Sequence, residues 1–283
     1  MQREIVNLIV RDILNYVNVV IKEGHMKIFE THAHYDDSDF DEDREELITS
    51  MLSDDGTLDC LINVGASLKG CEDSLLLASK YDKVYAAIGV HPEEVEGLTM
   101  GHMRWIKENA SMNRKVLAIG EIGLDYHYPE PTKEVQKQWF RQQLKLAWEI
   151  RKPVIIHSRD ACADTLECMR MEHADKIGGI IHCYSYSKEA ARDYLDMGFH
   201  FGIGGVVTFK NARKLIEAVE YIPMERIVLE TDCPYMAPEP HRGTRNDSRN
   251  IAFVAEKIAQ IKGMTAQEVI DITNKNARKL FGL

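Results

Sequence analysis

The sequence predicts a single α/β domain of the (β/α)8 TIM-barrel class, on three observations. Eight short apolar runs rich in β-branched residues recur along the chain, with helix-like segments between them. These runs are continuous rather than alternating, which is how strands read when both faces are buried in a parallel sheet wrapped by helices. Several of them end on a residue able to hold a metal ion. A chain of 283 residues suits one closed unit of this kind, and no Pro/Ser-rich linker or break in composition divides it.

The first strand is expected from Met26, where Met26-Lys27-Ile28-Phe29 leads to His32 and His34 and then into an acidic stretch. Side chains two apart on a strand share a side, so the two rings are offered to one cation. A helix is expected over 43–52, a strand over 58–64, a helix over 71–80, a strand over 83–90 and a helix over 100–110. The run from Val116 to Gly120 delivers Glu121, and the pattern over 133–150 gives the longest helix. Pro153 to Ile156 delivers His157 before a helix over 161–172, and Gly179 to Ile181 delivers His182 before a helix over 188–196. A strand over 198–203 and a helix over 212–220 follow, and then Arg226 to Thr231 delivers Asp232. Helices over 248–261 and 266–281 finish the chain, the last being extra to the eightfold repeat.

The first 25 residues form an N-terminal extension to the expected barrel domain, 26–283. Val6, Ile9, Val10, Ile13, Val17 and Val20 fall on one helical face, but Arg11, Asp12 and three asparagines interrupt it, so neither a membrane span nor a secretory signal is expected. Lys22-Glu23-Gly24 can be encoded by a purine-rich, ribosome-binding-like sequence, and the expectation is that native translation starts at Met26. The alternatives are an added helix that caps the barrel bottom or docks a partner, and a remnant of expression at Gly24-His25-Met26. The six cysteines form no C-x-x-C pair and read as reduced thiols of a cytoplasmic protein. Alternation along a strand should point Cys183 and Cys233 away from the ligands beside them. The net charge of −10 argues against a broad nucleic-acid-binding surface, yet it leaves room for a local phosphate grip.

In a barrel of this class, residues scattered along the sequence meet where the loops after the strands gather. His32, His34, His157 and His182 would supply nitrogen donors and Glu121 and Asp232 charged oxygen donors. That mixture suits Zn, Mn or Mg rather than Ca. Six ligands exceed what one catalytic ion needs, so two divalent metal ions sharing a carboxylate are expected, with Glu121 as the bridge. Arg159, Lys210, His241 and Arg242 follow strands five, seven and eight and would place cations on the same rim. No glycine-rich phosphate loop calls for a nucleotide cofactor.

The order of these motifs resembles the TatD-related deoxyribonucleases, within the wider amidohydrolase-type metal-dependent hydrolases. The resemblance runs from Met26 to Leu283. It rests on Thr31-His32-Ala33-His34, Gly89-Val90-His91-Pro92, Gly120-Glu121-Ile122-Gly123-Leu124-Asp125-Tyr126, Pro153-Val154-Ile155-Ile156-His157-Ser158-Arg159, His182-Cys183-Tyr184-Ser185, Gly204-Gly205-Val206-Val207-Thr208-Phe209-Lys210 and Leu229-Glu230-Thr231-Asp232-Cys233-Pro234-Tyr235. It implies that His32, His34, Glu121 and Asp232 hold one metal and Glu121, His157 and His182 the other, with His91 beside them or on phosphate. It also implies a 3′-to-5′ exonuclease acting on single-stranded DNA ends, with no membrane and no obligate protein partner. Asp232 is the expected acceptor of the proton of the attacking water. The rival reading keeps fold and metals but changes the bond, to an ester or amide such as that of a D-aminoacyl-tRNA; a non-catalytic scaffold is the other. The chain departs from the family pattern at Cys183-Tyr184-Ser185-Tyr186, where Phe and Gly are usual, and at His127. The two tyrosines there either stack on a base or pack on the rim.

Overall fold

The computed structural model describes residues 27–283. The expectations for residues 1–25 therefore lie outside the described residues. Eight parallel strands follow one another around a barrel: β1 (Ile28–Ala33), β2 (Leu58–Val64), β3 (Val84–Ala87), β4 (Val116–Asp125), β5 (Val154–Arg159), β6 (Gly179–Ile181), β7 (His200–Ile203) and β8 (Ile227–Leu229). Each strand pairs with the next. The last seam closes just beyond β8, where Asp232 N donates to His32 O (3.0 Å) and His34 N donates to Cys233 O (2.8 Å).

The helices are α1 (Arg44–Leu52), α2 (Leu68–Lys80), α3 (Met100–Met112), α4 (Lys133–Ile150), α5 (Cys162–Met171), α6 (Lys188–Asp196), α7 (Arg213–Tyr221), α8 (Ile251–Lys262) and α9 (Ala266–Phe281). The expected starts hold to within a residue or two except in two places. Helix α2 begins three residues early because the Ser67 hydroxyl accepts from Gly70 N and caps it. Helix α8 begins three residues late because Ser248–Asn250 forms a separate 3-10 turn capped by Asp247.

Phe29, Ile62, Ala118, Ile155, Ile180 and Val228 form one buried cluster with Ala277 of α9, and Leu280 and Phe281, partly buried, pack against it. Ile155 and Ile180 stand two residues before His157 and His182, on the same side of their strands. This cluster is thus the apolar floor beneath the histidines, and α9 stops it from below. A second, larger cluster packs the outward strand faces against the surrounding helices.

Candidate metal centre

All six expected ligands meet at one place, reached by different local devices. His32 lies in β1 and His34 one residue past its end, while Glu121 and His157 sit inside β4 and β5 rather than at their ends. His182 directly follows β6, and Asp232 comes three residues after β8, at a φ of 59° that turns its carboxylate back toward the histidines. A left-handed non-glycine residue is costly and is retained where the surroundings enforce it. Strand β4 is brought close to β5 at Gly123 (φ 153°), where a Cβ would lie 1.9 Å from His157 O.

Four donor atoms form a compact group: His32 Nε2, His34 Nε2, Glu121 Oε2 and Asp232 Oδ1. The two ring nitrogens face each other at 3.1 Å. His32 lies 3.4 Å from Glu121 and 3.8 Å from Asp232; His34 lies 3.8 Å and 3.3 Å from the same two atoms. Ligands about 2.0–2.1 Å from a tetrahedral ion stand roughly 3.3 Å apart along the edges; His32, His34 and Asp232 form one cluster of mutually close donors on this scale, and His32, Glu121 and His182 a second. Glu121 spans two groups. Its Oε2 faces His32 and His34, while its Oε1 lies 2.9 Å from His157 Nδ1, 3.6 Å from His182 Nε2 and 3.8 Å from His91 Nε2.

His182 Nδ1 lies 3.1 Å from Glu230 Oε1, an ion-pair distance without hydrogen-bond geometry. The far nitrogens of two other rings are held by an oxygen: His34 Nδ1 donates to Val64 O (2.8 Å) and His157 Nε2 donates to Asp125 Oδ2 (2.9 Å). Such partners fix the tautomer and leave the other nitrogen's lone pair directed at the centre. His32 Nδ1 is buried without a hydrogen-bond partner, and its ring stacks on His182 at 3.5 Å between centroids.

The electrostatics follow from crowding carboxylates and imidazoles out of water. Burial acts to raise the Glu121 carboxyl, but His182, His91, His157 and His32 outweigh it and hold it well below its ordinary value. Burial opposes charge on His34, His157 and His182, yet their carboxylate neighbours push them up to about 9, 9 and 10 respectively. His32 is lowered by burial and then by His182, and His91 is brought down to about 3 by burial and then by His157. The donor set therefore calls for positive charge at its centre, and protons on three rings supply it when no cation does.

The remaining expected residues lie around this centre. His91 packs edge-on against His157, 4.3 Å between centroids. Arg159, Lys210 and Arg242 are exposed, and His241 is half-buried against Phe253. The Arg242 guanidinium lies 4.3 Å over the Phe209 ring, and Arg159 stands 5.9 Å from the Tyr128 ring centre. None of these three cations forms an ion pair among the described residues. Tyr184 is buried with its hydroxyl donated to Ser187 O, and Tyr186 is half-buried against Ser158 and Ala161, so both pack rather than face the mouth. The alternation argument fails at Cys183. The strand has ended at Ile181, the residue turns left-handed (φ 44°), and its thiol sits within 4.8 Å of His182 and Glu230 donor atoms.

Three carboxylates went unassigned in the sequence. Asp125 and Glu230 orient His157 and His182, and both have a visible signal: Asp125 lies four residues after Glu121 on β4, and Glu230 two before Asp232. Glu30 accepts from His32 N, Thr231 N and Thr231 Oγ1 across the β1–β8 seam, and burial pushes it up to about 8. Nothing local marks it, because Thr231, which binds it through two groups, is 201 residues away.

A closed parallel barrel with a His/Glu/Asp donor set at the carboxyl ends of its strands defines a metal-dependent hydrolase. The comparisons place it more narrowly. The profile of the family described as TatD related DNase matches residues 29–282, and the chain belongs to that family. It is 42% identical over 254 residues to the uncharacterized metal-dependent hydrolase YabD of Bacillus subtilis, covering 90% of this chain and 98% of that one. It is 35% identical over 260 residues to the uncharacterized metal-dependent hydrolase YcfH of Escherichia coli K12, covering 90% and 96%. The crystal structure of YJJV, a TatD homolog from Escherichia coli K12, superposes with a TM-score of 0.84 at 27% identity, covering 90% of this chain and 98% of that one.

Proposed function

We propose that this metal-dependent hydrolase is a deoxyribonuclease that cleaves phosphodiester bonds at single-stranded 3′ ends, with two divalent cations as cofactors. The observation that carries the reading is the division of Glu121 between two donor groups, one oxygen toward His32 and His34 and the other toward His157 and His182. His32, His34, Glu121 and Asp232 would hold one cation, and Glu121, His157 and His182 the other. Bound there, such ions supply the Lewis acidity that makes water nucleophilic near neutral pH and neutralises charge on phosphate.

The protein's own groups would do the rest. Asp232 directs Oδ1 at His32, His34 and His182, which leaves Oδ2 to orient the attacking water and take its proton. Asp125 and Glu230 keep His157 and His182 from rotating. The neutral His91 ring, edge-on to His157, would donate a hydrogen bond to phosphate. Arg159, Lys210 and Arg242, without ion pairs among the described residues, would with His241 grip the backbone of a short strand from the rim, which suits an end-held substrate on an otherwise acidic protein.

The test is a side-by-side assay on fluorescent single-stranded DNA and a D-aminoacyl-tRNA. Nucleotide release that disappears in His157→Ala and His182→Ala supports the reading. Deacylation without nucleotide release overturns it. Asp232→Asn should lower DNA turnover by about a hundredfold to ten-thousandfold while metal is partly retained; unchanged turnover removes Asp232 from the proton-accepting role.

A further inference from the structure

Large apolar side chains that stay exposed are unevenly placed on this molecule. Leu76, Met100, Met112, Trp148, Met171 and Tyr221 lie on the outer helices, and Leu283 ends the chain. Among the described residues, only Tyr128, Tyr235 and Met236 come from loops that follow strands, on the face that carries the donor set. Tyr235 is 51% exposed although its ring lies 6.3 Å, centroid to centroid, from that of His34, whose Nε2 belongs to the first donor group. A lone exposed apolar group on a helix is ordinary, whereas the consecutive pair Tyr235-Met236 beside a reaction centre asks for a purpose.

The pair is also held in place. Tyr235 Oη donates to Asp37 Oδ2 (2.7 Å), Tyr235 N donates to Asp232 O (2.9 Å), and the buried Asn246 amide donates to Tyr235 O (2.7 Å). Met236 takes a left-handed φ of 53°, and the loop after β7 makes room for its carbonyl with Gly205, where a Cβ would stand 2.0 Å from Met236 O. A left-handed methionine is costly and persists where the surroundings enforce it. The chain thus fixes an aromatic ring, wet and oriented, beside a metal-facing histidine. Tyr184 and Tyr186, the rings the sequence offered for stacking on a base, are packed by their hydroxyls and leave that role open.

We propose that Tyr235, with Met236 beside it, is the stacking platform for a nucleobase adjoining the scissile phosphate. The inference rests on the deoxyribonuclease reading and adds to it what the site recognises: the flat face of a base rather than its edge, and so a single strand of any sequence. Every base offers a π-face, which makes stacking tolerant of sequence. It also needs no positive charge, which suits a chain of net charge −10. Tyrosine fits the task, because one end of the ring is anchored through its hydroxyl while the apolar body stays available for contact.

The experiment is steady-state cleavage by the metal-loaded protein of fluorescent single-stranded DNA and of the same strand lacking its two 3′-terminal bases, for wild type, Tyr235→Phe and Tyr235→Ala. Where a strand is not cleaved, its inhibition constant against the intact strand is read instead. Tyr235→Ala is expected to raise KM for intact DNA by about fivefold to a hundredfold, the loss of one base–aromatic stack, with a smaller change in kcat. Tyr235→Phe keeps the ring and should retain most of the wild-type affinity. Ring and base should be lost together, so on the strand without terminal bases Tyr235→Ala should bind as well as wild type. Cleavage of DNA with KM unmoved by Tyr235→Ala, a loss of equal size on both strands, or a Tyr235→Phe as impaired as Tyr235→Ala overturns the platform and leaves the nuclease reading standing, the ring then being a strut for Asp37. Deacylation by wild type with no cleavage of DNA removes the nuclease reading, and the platform with it.

Discussion

Glu230 shows how much a single residue can set at this centre. Its Oε1 accepts from Cys183 N at 2.6 Å and lies 3.1 Å from His182 Nδ1, so one oxygen fixes the turn and sets negative charge beside the ring it carries. Room for it exists because β7 contributes Gly202, where a Cβ would lie 2.0 Å from Glu230 Oε2. Glu230→Gln keeps the size but removes the negative charge beside the imidazole. Metal affinity should fall by about tenfold to a hundredfold, read by competition with a chromogenic chelator, while the unfolding midpoint of chelated protein barely moves. Unchanged metal affinity would mean that the ring is held by packing on His32 alone. That six residues would converge was legible because strand runs announce which residue comes next, whereas Glu230 required knowing that β6 and β8 flank β7.

At the scale of elements, the vulnerable place is the β1–β8 seam, which must join the two ends of the barrel sequence. The seam has few ladder bonds, and side chains complete it from both ends. Above, Glu30 binds Thr231 and His32 N. Below, α9 sends up two amides: Asn274 accepts from Phe29 N (2.8 Å) and donates to Lys27 O (2.7 Å), and Asn276 donates to Met224 O (2.7 Å) and Ile227 O (2.8 Å). The C-terminal helix, extra to the eightfold repeat, therefore clamps the two strands that lead to His32, His34 and Asp232. Asn274→Ala leaves Phe29 N without its acceptor and should cost about 1–3 kcal/mol in denaturant unfolding. Loss of well under 1 kcal/mol would show that water replaces the amide. The helix itself was expected from the pattern over 266–281, and the Thr265–Glu268 capping box holds its start. Its clamping role was not, because amides that pair with distant backbone leave no period in the sequence.

For the whole molecule, the centre ties stability to protons and metal together. His34, His157 and His182 sit at about 9, 9 and 10, above the ordinary value of 6.5, because carboxylates crowd them more strongly than burial opposes their charge. Groups raised on folding give stability that is complete below the unfolded value and is lost as pH rises through the folded one. Chelated protein should therefore lose stability between about pH 6.5 and 10. A cation that takes the same nitrogens must displace their protons, so binding near pH 8 should release about two to three protons, seen as a dependence of the calorimetric heat on buffer ionisation. Metal-loaded protein should then keep its melting temperature across the same range, since a ligand bound only to the folded state stabilises it by mass action. Parallel loss of stability with and without metal would place the raised histidines outside the coordination shell. It would also leave the split of Glu121 between two nitrogen groups without a chemical purpose.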